Sequence, residues 1–359
     1  MQQSILQHLE VLIRCDTQNP PRRIETGHEI FAYIDSVLES AGGFTLNISD
    51  HGDGHISYFA TRGNPDVLFN VHLDTVQVGT GWSREPLKLT IEGSRAFGRG
   101  VCDIKGAAAA LMAIAENTNL PLALLFSTDE EGANGCCINN FAGSMTADDY
   151  TAVIVAEPTQ CEAVLGHRGY LSVLGEFAGK PGHSSEPRGL TDNAIHQACM
   201  WANAAVAYAD GEAQKDDGIC FNIGTIGGGS GSNVIAGDAR VHWSARIPPG
   251  GDSTATLTSI CNLTEAASAV DWNARFNGSP LPAHGTSDQA ARAFCERNDV
   301  LIGNAVDFWT EASIFSAAGL PSIVLGPGNI EQAHSADEWV ELEQLLLAAE
   351  IYQRLSREA

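Results

Sequence analysis

The chain of 359 residues is poor in basic residues, with 20 Lys and Arg against 44 Asp and Glu, a formal charge of −24. A phosphate-backbone partner needs a basic stripe, so DNA and RNA are excluded as expected partners, and the acidity reads as a solvated surface. Long apolar runs are also missing. The longest, Ala107 to Ala115, falls far below the ~20 residues of a spanning helix, so no membrane partner is expected. Met1 to Cys15 is broken by Gln2, Gln3, Gln7, Glu10 and Arg14, so no secretory leader is expected. The nine cysteines are scattered and form no CxxC pair. This argues against a disulfide framework or a zinc knot and for a reducing cytoplasm. Adjacent Cys136 and Cys137 read as ordinary buried thiols.

What is present is material for a core. At 44% apolar and 18% charged the composition is that of a globular chain, and the length suits two domains or one large one. Residues 3–14 and 27–41 carry apolar side chains at spacings of three and four, with Phe31, Ile34 and Leu38 in the second, and predict amphipathic helices. The runs 67–71, 122–126, 152–156 and 322–325 are almost wholly apolar and predict buried strands, with a helix beginning near Ile104. Such strands separated by helices indicate an α/β sheet covered on both faces. From 164 to 284 the rhythm changes: strand 170–177, helix 191–209, strands 219–226 and 239–247, helix 253–268, strand 270–276. That order is the split βαββαβ, ferredoxin-like sandwich. The expected plan is one α/β domain over 1–163 and 285–359, interrupted by a smaller domain over 164–284.

Polar residues follow each buried run. His72-Leu73-Asp74 follows the first, Asp129-Glu130-Glu131 comes just after the second, Glu157 ends the third, and His334 lies beyond Gly326-Pro327-Gly328 after the fourth. Asp103 follows Gly98-Arg99-Gly100 and precedes the helix at Ile104. In an open α/β sheet the crevice at the carboxyl ends of the strands binds ligands, and here it gathers two histidines and at least four carboxylates. Each element alone has a plainer reading: a hydrogen-bonded strand-end histidine, a solvated acidic turn, and for Asp103 a helix N-cap. Their joint placement favours a site. So many anions share one pocket only with compensating cations. Two divalent metals meet that need; imidazole and carboxylate suit Zn²⁺ at ~2.0–2.2 Å, with Co²⁺ or Mn²⁺ able to substitute.

The motifs His72-Leu73-Asp74-Thr75-Val76, Gly98-Arg99-Gly100-Val101-Cys102-Asp103-Ile104-Lys105-Gly106, Asp129-Glu130-Glu131-Gly132, Ala156-Glu157-Pro158-Thr159 and Gly182-His183-Ser184-Ser185 occur in this order. They resemble those of the metal-dependent deacylase and exopeptidase family, which includes acetylornithine deacetylase, succinyl-diaminopimelate desuccinylase, aminoacylase and carboxypeptidase G. Thr310-Glu311-Ala312, Leu325-Gly326-Pro327-Gly328 and Gln332-Ala333-His334 look like the acetylornithine deacetylase branch, and residues 303–309 resemble its N-acetylcitrulline deacetylase offshoot. Gln77 departs from the pattern, standing where the family has proline.

The resemblance implies a di-zinc hydrolase domain built on a central mixed sheet flanked by helices, with the inserted domain as lid and homodimer surface. It implies one metal on His72, Asp103 and Glu157 and a second on Glu131, Asp103 and His334, with Asp103 bridging. Asp74 matches the carboxylate that orients His72, Glu130 the general base, and His183 a residue that reaches a neighbouring subunit's site to hold the oxyanion. Asn233 and Arg246 match positions that cradle a substrate α-carboxylate, against the plainer readings of a flexible glycine loop and a surface ion pair. Glu311 is expected either to read the substrate side chain or to support the metals from behind. The expected activity is hydrolysis of an N-acetyl amino acid of arginine biosynthesis, ornithine or citrulline. A dipeptidase, carboxypeptidase or desuccinylase of the same fold, or a non-catalytic metal binder, are the alternatives. No G-x-S-x-G elbow and no P-loop are present.

Overall fold

The apolar runs form the middle of a six-stranded sheet in the computed structural model of the chain, which describes residues 1–132, 135–215, 218–264 and 270–357. The strand order across this sheet is Phe44–Asp50, Ile56–Arg62, Leu122–Ser127, Val67–His72, Ala152–Val155, Ser322–Val324. Ile56–Arg62 runs antiparallel to both its neighbours, and the remaining pairs are parallel. The four parallel strands are buried along their whole length, as a parallel sheet covered on both faces requires. Phe44–Asp50 at the edge is partly exposed throughout.

Helix Lys105–Asn117 is the hub of this unit. Nearly all its residues are buried, and helices Gln2–Arg14, Glu29–Ala41 and Leu342–Leu355 pack against it. Its small side chains allow that approach. At Gly106 a Cβ would stand 2.5 Å from the Val101 carbonyl oxygen and 2.9 Å from Leu345 Cδ2, so the helix meets the preceding loop only with glycine there.

The chain divides into two compact units, one made of Met1–Leu165, Ser287–Ala305 and Thr310–Ala359, the other of Gly166–Thr286 and Val306–Trp309. The sequence reading did not foresee that the short segment 306–309 belongs to the second unit. Val306 donates its N–H to the Gly166 carbonyl at 3.0 Å, and the Trp309 indole donates to the Ser279 carbonyl at 3.1 Å.

In the second unit the strand order is Cys220–Gly228, Asp238–Ile247, Gly169–Ala178, Asp271–Gly278, all antiparallel. With helices Ala194–Ala213 and Ser253–Cys261 this is the βαββαβ sandwich. The two central strands alternate buried and less buried residues, and their inner face packs Leu171, Val173, Phe177 and Trp243 around Trp201. Asn193 and Asp252 cap the two helices through their side chains. The second helix stops at Cys261, well short of the expected 268, and residues 265–268 lie outside the described residues. Among the described residues no helix is long and apolar enough to cross a membrane.

Candidate metal centre

His72 is the last residue of its strand and is in register with Ser127, the last residue of the neighbouring parallel strand. Glu130 and Glu131 follow that second strand, and Glu157 follows Ala152–Val155 by two residues. Parallel strands end at one edge, so the loops that leave them converge there. Asp103 arrives from the Gly98–Cys102 loop. Gly100 has φ +84°, and a Cβ on it would lie 2.9 Å from Thr75 Cγ2, so the turn needs glycine. The helix that follows has Ile104, not Asp103, at its N-cap and no side-chain cap bond. The Asp103 carboxylate instead faces the two histidines. His334 itself sits at φ +58°, a left-handed conformation that a non-glycine residue keeps only where its surroundings hold it.

His72 Nε2 is 3.0 Å from Asp103 Oδ1 and 3.6 Å from Glu157 Oε1. His334 Nε2 is 3.2 Å from Asp103 Oδ2 and 3.2 Å from Glu131 Oε2. Two groups therefore share Asp103: His72 with Asp103 and Glu157, fully buried, and Asp103 with Glu131 and His334. Within each group the ligand atoms lie within 4.8 Å of one another. Glu130 forms a third such group with His72 and Glu131.

The other ring nitrogen of His72, Nδ1, lies 2.9 Å from the Asp74 carbonyl oxygen and 3.6 Å from Asp74 Oδ1. Donation from Nδ1 to that carbonyl leaves the Nε2 lone pair pointing at Asp103 and Glu157. The backbone carbonyl of Asp74, more than its carboxylate, thus orients the ring. Asp74 Oδ2 accepts the Glu131 N–H at 2.9 Å, which ties the two strand ends together.

The electrostatics are those of a site short of positive charge. Burial pushes the carboxyls of Glu130 and Glu157 well above the usual range, and their acidic neighbours add to this against the pull of His72. Burial also raises Glu131, with the Asp103 charge next. Burial opposes charge on Asp103 too, but hydrogen bonds to His334 and His72 hold its carboxyl well below the usual range. Hydrogen bonds to Asp103 and Glu131 raise His334 to about 11. His72 is raised as well, because Glu157 and Asp103 outweigh its burial. Glu157 Oε1 and Asp74 Oδ1 are buried with no hydrogen-bond partner, an arrangement native proteins rarely leave unexplained. Nitrogen and oxygen donors, a shared carboxylate and an orphaned acceptor together fit a pair of divalent ions.

Glu311 is not exposed at all. Its carboxylate accepts Asn70 Nδ2 at 2.6 Å and the Ser127 hydroxyl at 3.2 Å, both from strand residues just before the site. Burial pushes its carboxyl up to about 8, helped by the nearby Asp129. Of the two roles expected of Glu311, these contacts favour support of the site from behind over reading a substrate side chain.

The remaining expected residues belong to the second unit. His183 is exposed; its Nδ1 is 2.8 Å from Ser185 Oγ, and its N–H donates to Glu186 at 2.8 Å. It pairs with Val234 in a two-stranded ladder, and Ser184 donates to the carbonyl of Asn233 at 3.1 Å, so His183 and Asn233 are neighbours. Arg246 stands on the four-stranded sheet instead, its guanidinium 4.1 Å over the Tyr170 ring.

Three functional candidates were missed. Asp129 is fully buried, accepts the Cys137 N–H at 3.1 Å and lies 3.5 Å from His55 Nδ1. Asn70, the lone polar residue within an apolar run, was a readable signal. Glu338, fully buried, had none, since it looks like one more surface acid.

Fold and site together describe a two-unit protein with a cluster of histidines and carboxylates able to hold metal ions. A family model described as Peptidase family M20/M25/M40 matches residues 68–358, and the chain belongs to that family. It is 43% identical, over 98% of its length and 97% of the relative's, to an N-acetyl-L-citrulline deacetylase of Xanthomonas campestris. It is 29% identical to an acetylornithine deacetylase of Vibrio vulnificus, over 85% of this chain and 84% of that one. Among solved structures, an M20 family metallo-carboxypeptidase from Sulfolobus solfataricus superposes with a TM-score of 0.73 at 15% identity, covering 98% of each chain; at that identity the likeness is one of fold.

Proposed function

We propose that this protein hydrolyses the acetyl amide of an N-acetyl-L-amino acid in arginine biosynthesis, releasing acetate, with two zinc ions for which cobalt or manganese can substitute. N-acetyl-L-citrulline is the first substrate and N2-acetyl-L-ornithine the second. The observation that carries this reading is the 43% identity over nearly the whole chain to a relative named for that activity, joined to a shared-carboxylate cluster of five residues able to hold metal ions. The burial of Glu311 supports the neutral side chain, since the acid suggested for ornithine's ammonium is engaged internally.

His72, Asp103 and Glu157 hold one ion and Asp103, Glu131 and His334 the other. When bound, such ions supply Lewis acidity and make water a nucleophile near neutral pH. Glu130 takes the proton from the attacking water and delivers it to the leaving nitrogen, a transfer that needs a carboxylate within one hydrogen bond of both. Asp74 holds the His72 ring and the Glu131 backbone in place. His183 donates to the developing oxyanion, and Asn233 with Arg246 binds the substrate carboxylate.

The Gly166–Thr286 unit serves as lid and homodimer surface. Met200, Val206 and Ile226 are exposed apolar residues there, and Cys220–Gly228 is an edge strand of its sheet. A homodimer would let His183 reach the partner subunit's site. The nine cysteines are all free thiols, in keeping with a cytoplasmic protein. The test is acetate release from N-acetylcitrulline, N-acetylornithine and N-acetylmethionine, with and without chelator. Chelator-sensitive turnover that is fastest on N-acetylcitrulline is expected; release of no acetate from any of them would overturn the reading.

A further inference from the structure

We infer that Glu338, with Arg99, is the positioning residue that sets the bridging carboxylate Asp103 between its two histidines. The inference rests on the metal reading above. Glu338 is fully buried, and its carboxylate has all four acceptor positions filled. Oε2 accepts Arg99 Nη1 at 2.7 Å and the Gly100 N–H at 3.0 Å, while Oε1 accepts the N–H groups of Cys102 at 2.8 Å and Asp103 at 3.1 Å. One side chain therefore grips three backbone groups of the turn that delivers Asp103.

The same contact joins the other ligand segments. Glu338 lies four residues beyond His334, and its own carbonyl accepts the Gly98 N–H at 3.1 Å. Arg99, only 2% exposed, reaches from the ion pair to the carbonyls of Ser335 at 3.3 Å and of Gln77 and Val78 at 3.4 Å. Residues 77–78 close the loop that leaves His72 and Asp74. Three ligand-bearing segments thus meet at one buried pair that itself contributes no atom to either metal group. Such outer contacts orient ligands, and their loss weakens metal binding.

The chemistry singles out Glu338→Gln as the informative change. An amide keeps one accepting oxygen and puts an NH₂ against two N–H donors, so the turn must shift and carry Asp103 with it. Metal affinity of the purified protein is measured by competition with a chromophoric chelator, alongside the visible absorption of the Co²⁺-loaded form and far-UV circular dichroism. About 10–100-fold weaker binding is expected, with an altered Co²⁺ spectrum and unchanged secondary structure; at saturating metal kcat falls while KM holds. Glu341→Gln, which breaks the neighbouring surface pair with Arg95 (2.8 Å), is the control and leaves affinity at the parent value. Should Glu338→Gln fail to fold, Arg99→Lys takes its place, with weaker binding in the same direction. Parent-like affinity and Co²⁺ spectrum in whichever variant folds overturn the inference. A parent protein that binds no metal overturns the underlying metal reading instead.

Discussion

Glu130 lies where a proton carrier and a metal ligand would look alike, and Glu130→Gln separates them. Its carboxylate is grouped with His72 and Glu131, and burial together with Glu157, Glu131 and Glu311 raises its proton affinity against the pull of His72. The amide has nearly the same shape but accepts no proton. General base catalysis contributes about 10²–10⁴-fold, which at ~1.36 kcal/mol per decade is roughly 3–5 kcal/mol of barrier. The variant is therefore expected to lose about 10²–10⁴-fold in kcat and to retain its full metal content by elemental analysis. It also removes one member of a crowd of buried acids, so the metal-free variant melts above the metal-free parent. The assay is steady-state acetate release at saturating substrate and metal. Loss of metal in step with activity would make Glu130 a ligand; a fall in kcat below tenfold at full occupancy would refute the proton-transfer role.

Other expectations follow from individual contacts. Glu311 has its carboxyl raised to about 8, so the folded state holds a proton that the unfolded state has released. Its contribution to stability is full below the ordinary carboxylate range and is lost as pH rises through about 8, with a slope of up to about 1.4 kcal/mol per pH unit. Denaturant unfolding of the metal-free protein from pH 5 to 8 should show a shallower decline for Glu311→Gln than for the parent, and parallel curves would count against the assignment. Gly106→Ala forces a Cβ to within 2.5 Å of the Val101 carbonyl and should destabilise by about 1–3 kcal/mol despite alanine's better helix propensity; an unchanged melting temperature would contradict the close-packed hub. Asp74→Ala, which frees the Glu131 N–H, should weaken metal binding by about 10–100-fold in chelator competition.

Much of this was legible in the chain because the site is punctuation on the fold. Four apolar runs give four buried strands, and the polar residues just past them supply His72, Glu131 and Glu157. Edge strand Phe44–Asp50 was not legible, since its residues are exposed or half-buried throughout and its composition is mixed. Helix Leu342–Leu355 was left unassigned although it packs on the hub. Asp103 carried two readings, helix cap and bridging ligand, because the residue order shows what precedes a helix but not where its side chain turns. Glu338 and Asp129 stayed hidden for a related reason: one charged letter in an acidic chain gives no sign of being wholly buried. The destination of a buried charge is set by tertiary partners such as Arg99 and the Gly100–Asp103 backbone.

Asp103 and the four side chains around it, His72, Glu131, Glu157 and His334, are proposed to bind a pair of divalent ions without which no amide is cleaved. The most direct test is metal titration of the demetallated protein, following bound metal per chain and acetate release from N-acetylcitrulline together. Two ions bound per chain, with turnover absent before the titration and restored by Zn²⁺, are expected. Full turnover in the demetallated protein, or ions that bind and restore none, would contradict the account.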